Sequence, residues 1–139
     1  MMRTLLMFAA LAAAAPAGAQ TVQTGRADWN ALPQALMRHS YAQYIDQNRV
    51  TLWTEQVLRS GECKVKGMRP EKFDIDVPYA VLVAPDGKVE RILIPEMGCA
   101  GLNTIIGSTV MDLVKAGAFK PTGENQAFWY GDRLAFAQE

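Results

Sequence analysis

The feature that most constrains this chain is the run Phe73 to Val83, FDIDVPYAVLV, in which Phe73, Ile75, Val77, Tyr79, Val81 and Val83 are apolar at strict period two. Successive side chains of a strand point to opposite faces of a sheet. The alternation therefore puts an apolar wall on one face and leaves Asp74, Asp76, Pro78, Ala80 and Leu82 on a partly wetted face. Pro78 lacks an N–H, which confines it to an edge or to a position that donates no ladder bond. Ala84-Pro85-Asp86-Gly87-Lys88 is a tight-turn sequence, with Pro presetting φ and Gly accepting positive φ. Val89 to Pro95 then returns as the antiparallel partner, completing a hairpin.

The apolar face of that hairpin has a matching cover. After a Gly98 to Gly101 turn, Leu102, Ile105, Ile106, Val110, Leu113 and Val114 fall at i, i+3, i+4, i+8, i+11 and i+12, the stripe of an amphipathic helix of about four turns. Gly117 ends it and Phe119-Lys120-Pro121 leads out. A polar turn over Thr122 to Asn125 precedes a last strand with Phe128, Tyr130, Leu134 and Phe136 in phase. Asp132 breaks that alternation, and Gly131-Asp132 predicts a bulge or kink. Upstream, Leu32, Leu36, Met37, Tyr41, Tyr44 and Ile45, and then Val50, Trp53, Val57 and Leu58, recur at helical spacing, with Asp28 or Asn30 available as a cap and Gly61 as a stop. Residues 30–60 are thus expected to be mostly helical, broken near Gln47-Asn48, with an extended alternative for Val50 to Trp53.

Met1 to Ala19 has a different character. One basic residue, an apolar run from Leu5 to Ala15, Pro16 and the small residues Ala17-Gly18-Ala19 form the anatomy of a secretory signal peptide. The apolar run is shorter than the roughly 20 residues a bilayer requires. Fifteen of these 19 residues are apolar, so the 50% apolar share of the whole chain overstates the core of the remainder. The expected organisation is a signal peptide over 1–19, a loose leader over 20–29 and one α+β domain over 30–139, exported to the periplasm or beyond without stable membrane insertion. Fourteen basic against fourteen acidic residues leave no net charge and no basic footprint for nucleic acid.

Export bears on the two cysteines. In an oxidising compartment Cys63 and Cys99 can form the chain's one intramolecular disulfide, a ring of 37 residues that the chain-entropy account values at about 3.8 kcal/mol. The competing reading makes Cys99, just ahead of a helix, a thiolate nucleophile with His39 as its base. Two Cys and one His supply too few ligands for a zinc finger, no Cys-x-x-Cys-His signals haem, and no Gly-rich phosphate loop or Gly-x-Ser-x-Gly elbow is present, so neither a cofactor nor a metal is expected. Asp74 and Asp76 invite a paired-carboxylate reading, but their place at the outward-facing start of a strand suits a solvated face.

From Phe73 to Phe136 the ordered set of strand, Pro85-Asp86-Gly87-Lys88-Val89, strand, the helix LNTIIGSTVMDLVKAGAFKP, polar turn and aromatic strand resembles the C-terminal domain of TonB, the periplasmic energy-transducing protein. The chain departs from that family at Met97 to Asn103, where a serine-rich turn is usual, at Ala116-Gly117-Ala118 before the Phe-Lys-Pro triplet, and in lacking the Pro-rich spacer. The resemblance implies a small three-stranded antiparallel sheet packed on one helix; the N-terminal helical segment and the two cysteines lie outside it. It also implies a non-enzymatic module that recruits an extended peptide from an envelope protein by adding it to a sheet edge. The last strand, Ala127 to Phe136, is the expected receiving edge, with Trp129, Tyr130 and Arg133 as contact candidates. Tyr130 shares the in-phase apolar set, which suits the core better than a contact; Trp129 and Arg133 lie on the opposite face and are the better interface candidates. An exported inhibitor or envelope assembly factor, its edge covered by the N-terminal helices, is the alternative.

Overall fold

A computed structural model describes residues 21–38, 43–121 and 123–139. The expected signal peptide over 1–19, His39, Tyr41 and Thr122 lie outside the described residues. The elements in chain order are β1 (Thr21–Thr24), α1 (Gln47–Ser60), β2 (Phe73–Val83), β3 (Val89–Ile94), α2 (Ala100–Lys115) and β4 (Phe128–Gln138). They form an α+β fold with a mixed four-stranded sheet, ordered β1-β3-β2-β4, in which β1 runs parallel to β3 and the other neighbours are antiparallel.

The hairpin follows from its sequence. All six in-phase residues of β2 are buried, whereas Asp74 and Asp76 are exposed. The β2–β3 pairing stops at Ala80–Leu93, so Pro78 sits two residues beyond it and removes no ladder bond. In the turn, Gly87 adopts φ 86° and donates its N–H to the Ala84 carbonyl at 2.8 Å, while the Asp86 side chain accepts from Lys88 N. A Cβ on Gly87 would also meet Pro121 at 2.9 Å, which ties the hairpin tip to the chain leaving α2.

Helix α2 presents Leu102, Ile105, Ile106, Val110 and Leu113 to the sheet, all buried. Cys99 caps its N-terminus, its Sγ accepting from Leu102 N at 3.4 Å. Helix α1 starts at Asp46, whose carboxylate accepts from Arg49 N, and ends at Gly61 in the left-handed conformation. Its buried face is Val50, Thr54 and Leu58. Thr54 fits inside because its hydroxyl donates to the Val50 carbonyl at 2.9 Å. Trp53, grouped by spacing with that face, turns outward instead at 37% exposure, with the Arg49 guanidinium 4.9 Å from its ring.

Four expectations are corrected. The helix occupies residues 47–60 and not 30–60: residues 30–32 form a turn and bend, residues 33–37 run non-helically with single β-bridges at Gln34 and Met37, and neither Asp28 nor Asn30 caps a helix. The leader is not loose from its start, because Thr21–Thr24 adds a parallel fourth strand to a sheet expected to have three. Strand β4 carries no bulge, since its pairing with β2 runs unbroken from Phe73–Gln138 to Val83–Phe128. Phe128 is 39% exposed and stacks its ring 5.3 Å from Tyr130, whereas Tyr130, Leu134 and Phe136 are buried.

The reason for the first correction is a belt. From β1 the chain crosses the face of the sheet opposite the helices, passing Gly25 against Leu93 and Leu32 against Gly131. These contacts lie along one cross-strand row, Leu93–Ala80–Gly131, whose middle member is buried although it sits on the helix-free face. A Cβ on Gly131 would lie 3.0 Å from the Leu32 Cβ, so the missing side chain makes room for the crossing. The belt then turns around β4, with Gly131 N donating to Pro33 O and Ala35 N to Gly131 O, and reaches the core side through Lys120 N to Leu36 O and Arg38 N to Ala118 O. Backbone groups in 33–38 find partners on β4 and on the segment after α2, so they do not need the i→i−4 bonds of a helix.

Candidate functional site

Strand-adding modules work through backbone groups at a sheet edge, and both edges of this sheet can be read from the pairing. Because β4 pairs with β2 without a break, and Gly131 directs both backbone groups at the belt, the odd-numbered residues of β4 turn theirs away from β2. At Gly131 the donor and the acceptor are taken. Arg133 N donates to the Asp132 carboxylate at 2.8 Å. Beyond this point, among the described residues, no backbone bond is recorded from the outward groups of Ala135 and Ala137. The receiving edge expected over 127–136 is thus closed at its centre by the chain's own segment and left bare toward its C-terminal end.

The three contact candidates separate. Tyr130 is 8% exposed and belongs to the core under α1 and α2. Trp129 and Arg133 lie on the opposite face on either side of the belt, divided by Gly131. Trp129 is half-buried, with the Arg91 guanidinium 5.6 Å from its ring, and Arg91 in turn donates to the Gln23 side chain. Arg133 is bound to Asp76 at 2.8 Å and to the Asp76 carbonyl at 3.1 Å. Asp76 is therefore an ion-pair partner across β2 and β4; Asp74 stands exposed two residues earlier. Both side chains of the Arg133–Asp76 pair are more than half exposed, so its contribution to stability is small.

In the sequence pattern Asp132 is only an interruption of the alternation. It lies on the core face opposite Tyr79, whose hydroxyl is 3.5 Å from the carboxylate. Burial raises its pKa, and the bonds from Arg133 N and the Tyr79 hydroxyl oppose that rise. An acid on the apolar face of an edge strand that bonds to an outward N–H is one of the ways a sheet blunts its edge.

Cys63 and Cys99 form the disulfide, with Cα atoms 5.4 Å apart, inside the range such bridges span. Neither sulfur is a thiol, so the nucleophile reading of Cys99 is set aside. The bridge joins the C-terminal end of α1 to the cap of α2. Among the described residues no group of three His, Cys, Asp or Glu side chains could hold a metal ion, and no helix is long and apolar enough to cross a membrane.

The other edge had no counterpart in the sequence. Gly25 N donates to Ile94 O, so the odd positions of β1 face β3 and the even ones, Val22 and Thr24, turn their backbone groups outward. Comparison of the chain with known protein families, curated proteins and solved structures finds no match.

Proposed function

We propose that this chain is an exported, non-enzymatic protein-binding module, built on a TonB C-terminal-like β–β–α–β unit, that engages an extended segment of an envelope protein through a sheet edge. The observation that carries the reading is the pair of sheet margins. Val22 and Thr24 on β1, and Ala135 and Ala137 on β4, direct backbone donors and acceptors outward, and backbone pairing is how such edges take up a strand. The element order from β2 to β4 supports the family resemblance, and the disulfide is consistent with an oxidising compartment. In this reading the first 19 residues direct export and are removed, leaving β1 next to the new N-terminus.

The belt favours a second reading. Both backbone groups of Gly131 are occupied by Pro33 and Ala35, as expected for a self-contained inhibitor or assembly factor whose TonB-type edge is permanently filled, though by an extended segment and not by helices.

Photoreactive residues at positions 135 and 129 in the native envelope, with wild-type export, separate the two. Capture of a distinct envelope protein from position 135, or from the same probe at position 24 of β1, supports edge binding; the absence of any adduct from all three positions, in protein that is exported and folded, refutes it. N-terminal sequencing of the exported chain tests processing, and an intact Met1 would overturn the cleavage.

A further inference from the structure

Among the described residues the β1 edge is more than a row of bare backbone groups, because α2 runs alongside it. The side chains of Val22 and Thr24 turn toward the helix layer, and between them and α2 lies an open groove of about 510 Å3 lined further by Gly107, Ser108, Met111 and Lys115. A Cβ on Gly107 would lie 3.0 Å from Val22 Cγ1. This glycine therefore lets the helix approach β1 closely, and the groove, with Ile94 of β3 also in its wall, runs between α2 and the helix-facing side of β1, next to the edge along which an added strand would lie. An edge strand beside a helix satisfies both requirements of strand addition: main-chain bonds for affinity and a slot for alternate side chains.

The charges define one end of that slot. Asp112, also at its wall, is paired with Arg49 at 3.3 Å. Lys115, in the last turn of α2, is exposed and has no ion pair among the described residues, leaving one uncompensated positive charge at the end of the groove toward the start of β1. Asn103, toward the other end, is occupied with the Glu96 carboxylate and Met97 N.

We infer that the cleft between β1 and α2 binds an extended segment of a partner protein, about five residues long, with apolar side chains at alternate positions and a carboxylate beside Lys115. The four residues of β1 extend about 13 Å and offer two outward residues, hence up to four main-chain bonds. The inference rests on the sheet-edge reading above and assigns it to β1 and not to β4.

The test selects hexapeptides from a random displayed library on the purified exported protein and maps each selected peptide by amide chemical shifts. The expected peptides alternate in polarity and end in Asp or Glu, and they move the amides of Val22, Thr24 and Met111. Lys115→Glu should weaken them at least tenfold, and placing Lys at the acidic peptide position should restore binding to that variant. Thr24→Pro removes an outward N–H without touching the bonds that Gln23 and Gly25 direct at β3, and should weaken all selected peptides at least tenfold. Peptides that move Ala135 and Ala137 and leave β1 unmoved would overturn this assignment while the sheet-edge reading stands. A library that yields no binder overturns both. A dimer joined through β1 in dilute solution would show that the occupant is a second copy and overturn the peptide cleft.

Discussion

Removing the disulfide while keeping the cap it supplies isolates one term of the stability of this fold. Cys63 and Cys99 are 36 positions apart and enclose the whole β2–β3 hairpin, so the bond restricts 37 residues of the unfolded chain. The chain-entropy account assigns that restriction about 3.8 kcal/mol. This is a large fraction of the 5–15 kcal/mol by which a domain of this size is typically stable. Cys99 has a second role, because its Sγ accepts from Leu102 N at the start of α2. The variant Cys63→Ala/Cys99→Ser retains an acceptor at the cap and loses only the ring; Cys63→Ala/Cys99→Ala loses both, at about 1 kcal/mol more. Scanning calorimetry should place the first variant about 15 °C below the oxidised wild type, taking roughly 4 °C per kcal/mol at this length. Reduced wild type should melt close to the serine variant. Melting of oxidised wild type and the serine variant within 3 °C of each other would refute the ring-closure argument, as would two titratable thiols in protein purified without reductant. If the reduced wild type were far more stable than the serine variant, the loss would lie in packing around the buried sulfurs and not in the ring.

Other consequences follow from the belt, Asp132 and the exposed ion pair. Gly131→Ala puts a methyl group 3.0 Å from the Leu32 Cβ, and the belt must shift to admit it; a stability loss of about 1–2 kcal/mol is expected, with faster exchange of the Ala35 amide, and most of it should disappear in a double-mutant cycle with Leu32→Gly. Asp132 has a pKa raised mainly by burial, so its charged form is the disfavoured one in the folded state. Its stabilising contribution is full below the unfolded pKa and is lost as pH rises through the folded value. The stability of wild type relative to Asp132→Asn should therefore increase as the pH falls through the carboxylate range, and urea titrations showing the opposite slope would sink the assignment. For Arg133 and Asp76, whose side chains are 55% and 56% exposed, a double-mutant cycle should return a coupling below about 1 kcal/mol that 1 M salt removes. Leu134→Ala, at a fully buried position of β4, should cost about 3 kcal/mol by urea unfolding, far more than any change at Trp129 or Arg133.

What could be read in advance divides by the range of the interactions involved. The β2–β3 hairpin and α2 were legible because their signals are local: alternation over Phe73 to Val83, the Pro85-Asp86-Gly87 turn and the 3.6-residue spacing from Leu102 to Val114 each describe a face that water must not reach. The disulfide was legible by count. Of the candidate contact residues, the opposite-face positions of Trp129 and Arg133 followed from the same alternation that buried Tyr130.

The tertiary structure alone decided the remainder. Thr21–Thr24 has β-branched residues but is too short and polar to mark a strand by itself; it is a strand because the edge of β3, far along the chain, supplies its partners. Leu32, Leu36 and Met37 keep a helical spacing but lie in an extended belt, because Gly131 and Ala118 offer the backbone better-placed bonds than the next helical turn would. Gly131 looked like a kink because a missing side chain in a strand usually marks one; here it marks a crossing, visible only once Leu32 is placed over it. Amino-acid patterns report which faces must be buried, since that is set by side-chain chemistry a few residues apart. Which segment buries them, and which sheet edge stays open, depends on partners a hundred residues away that the local pattern does not encode.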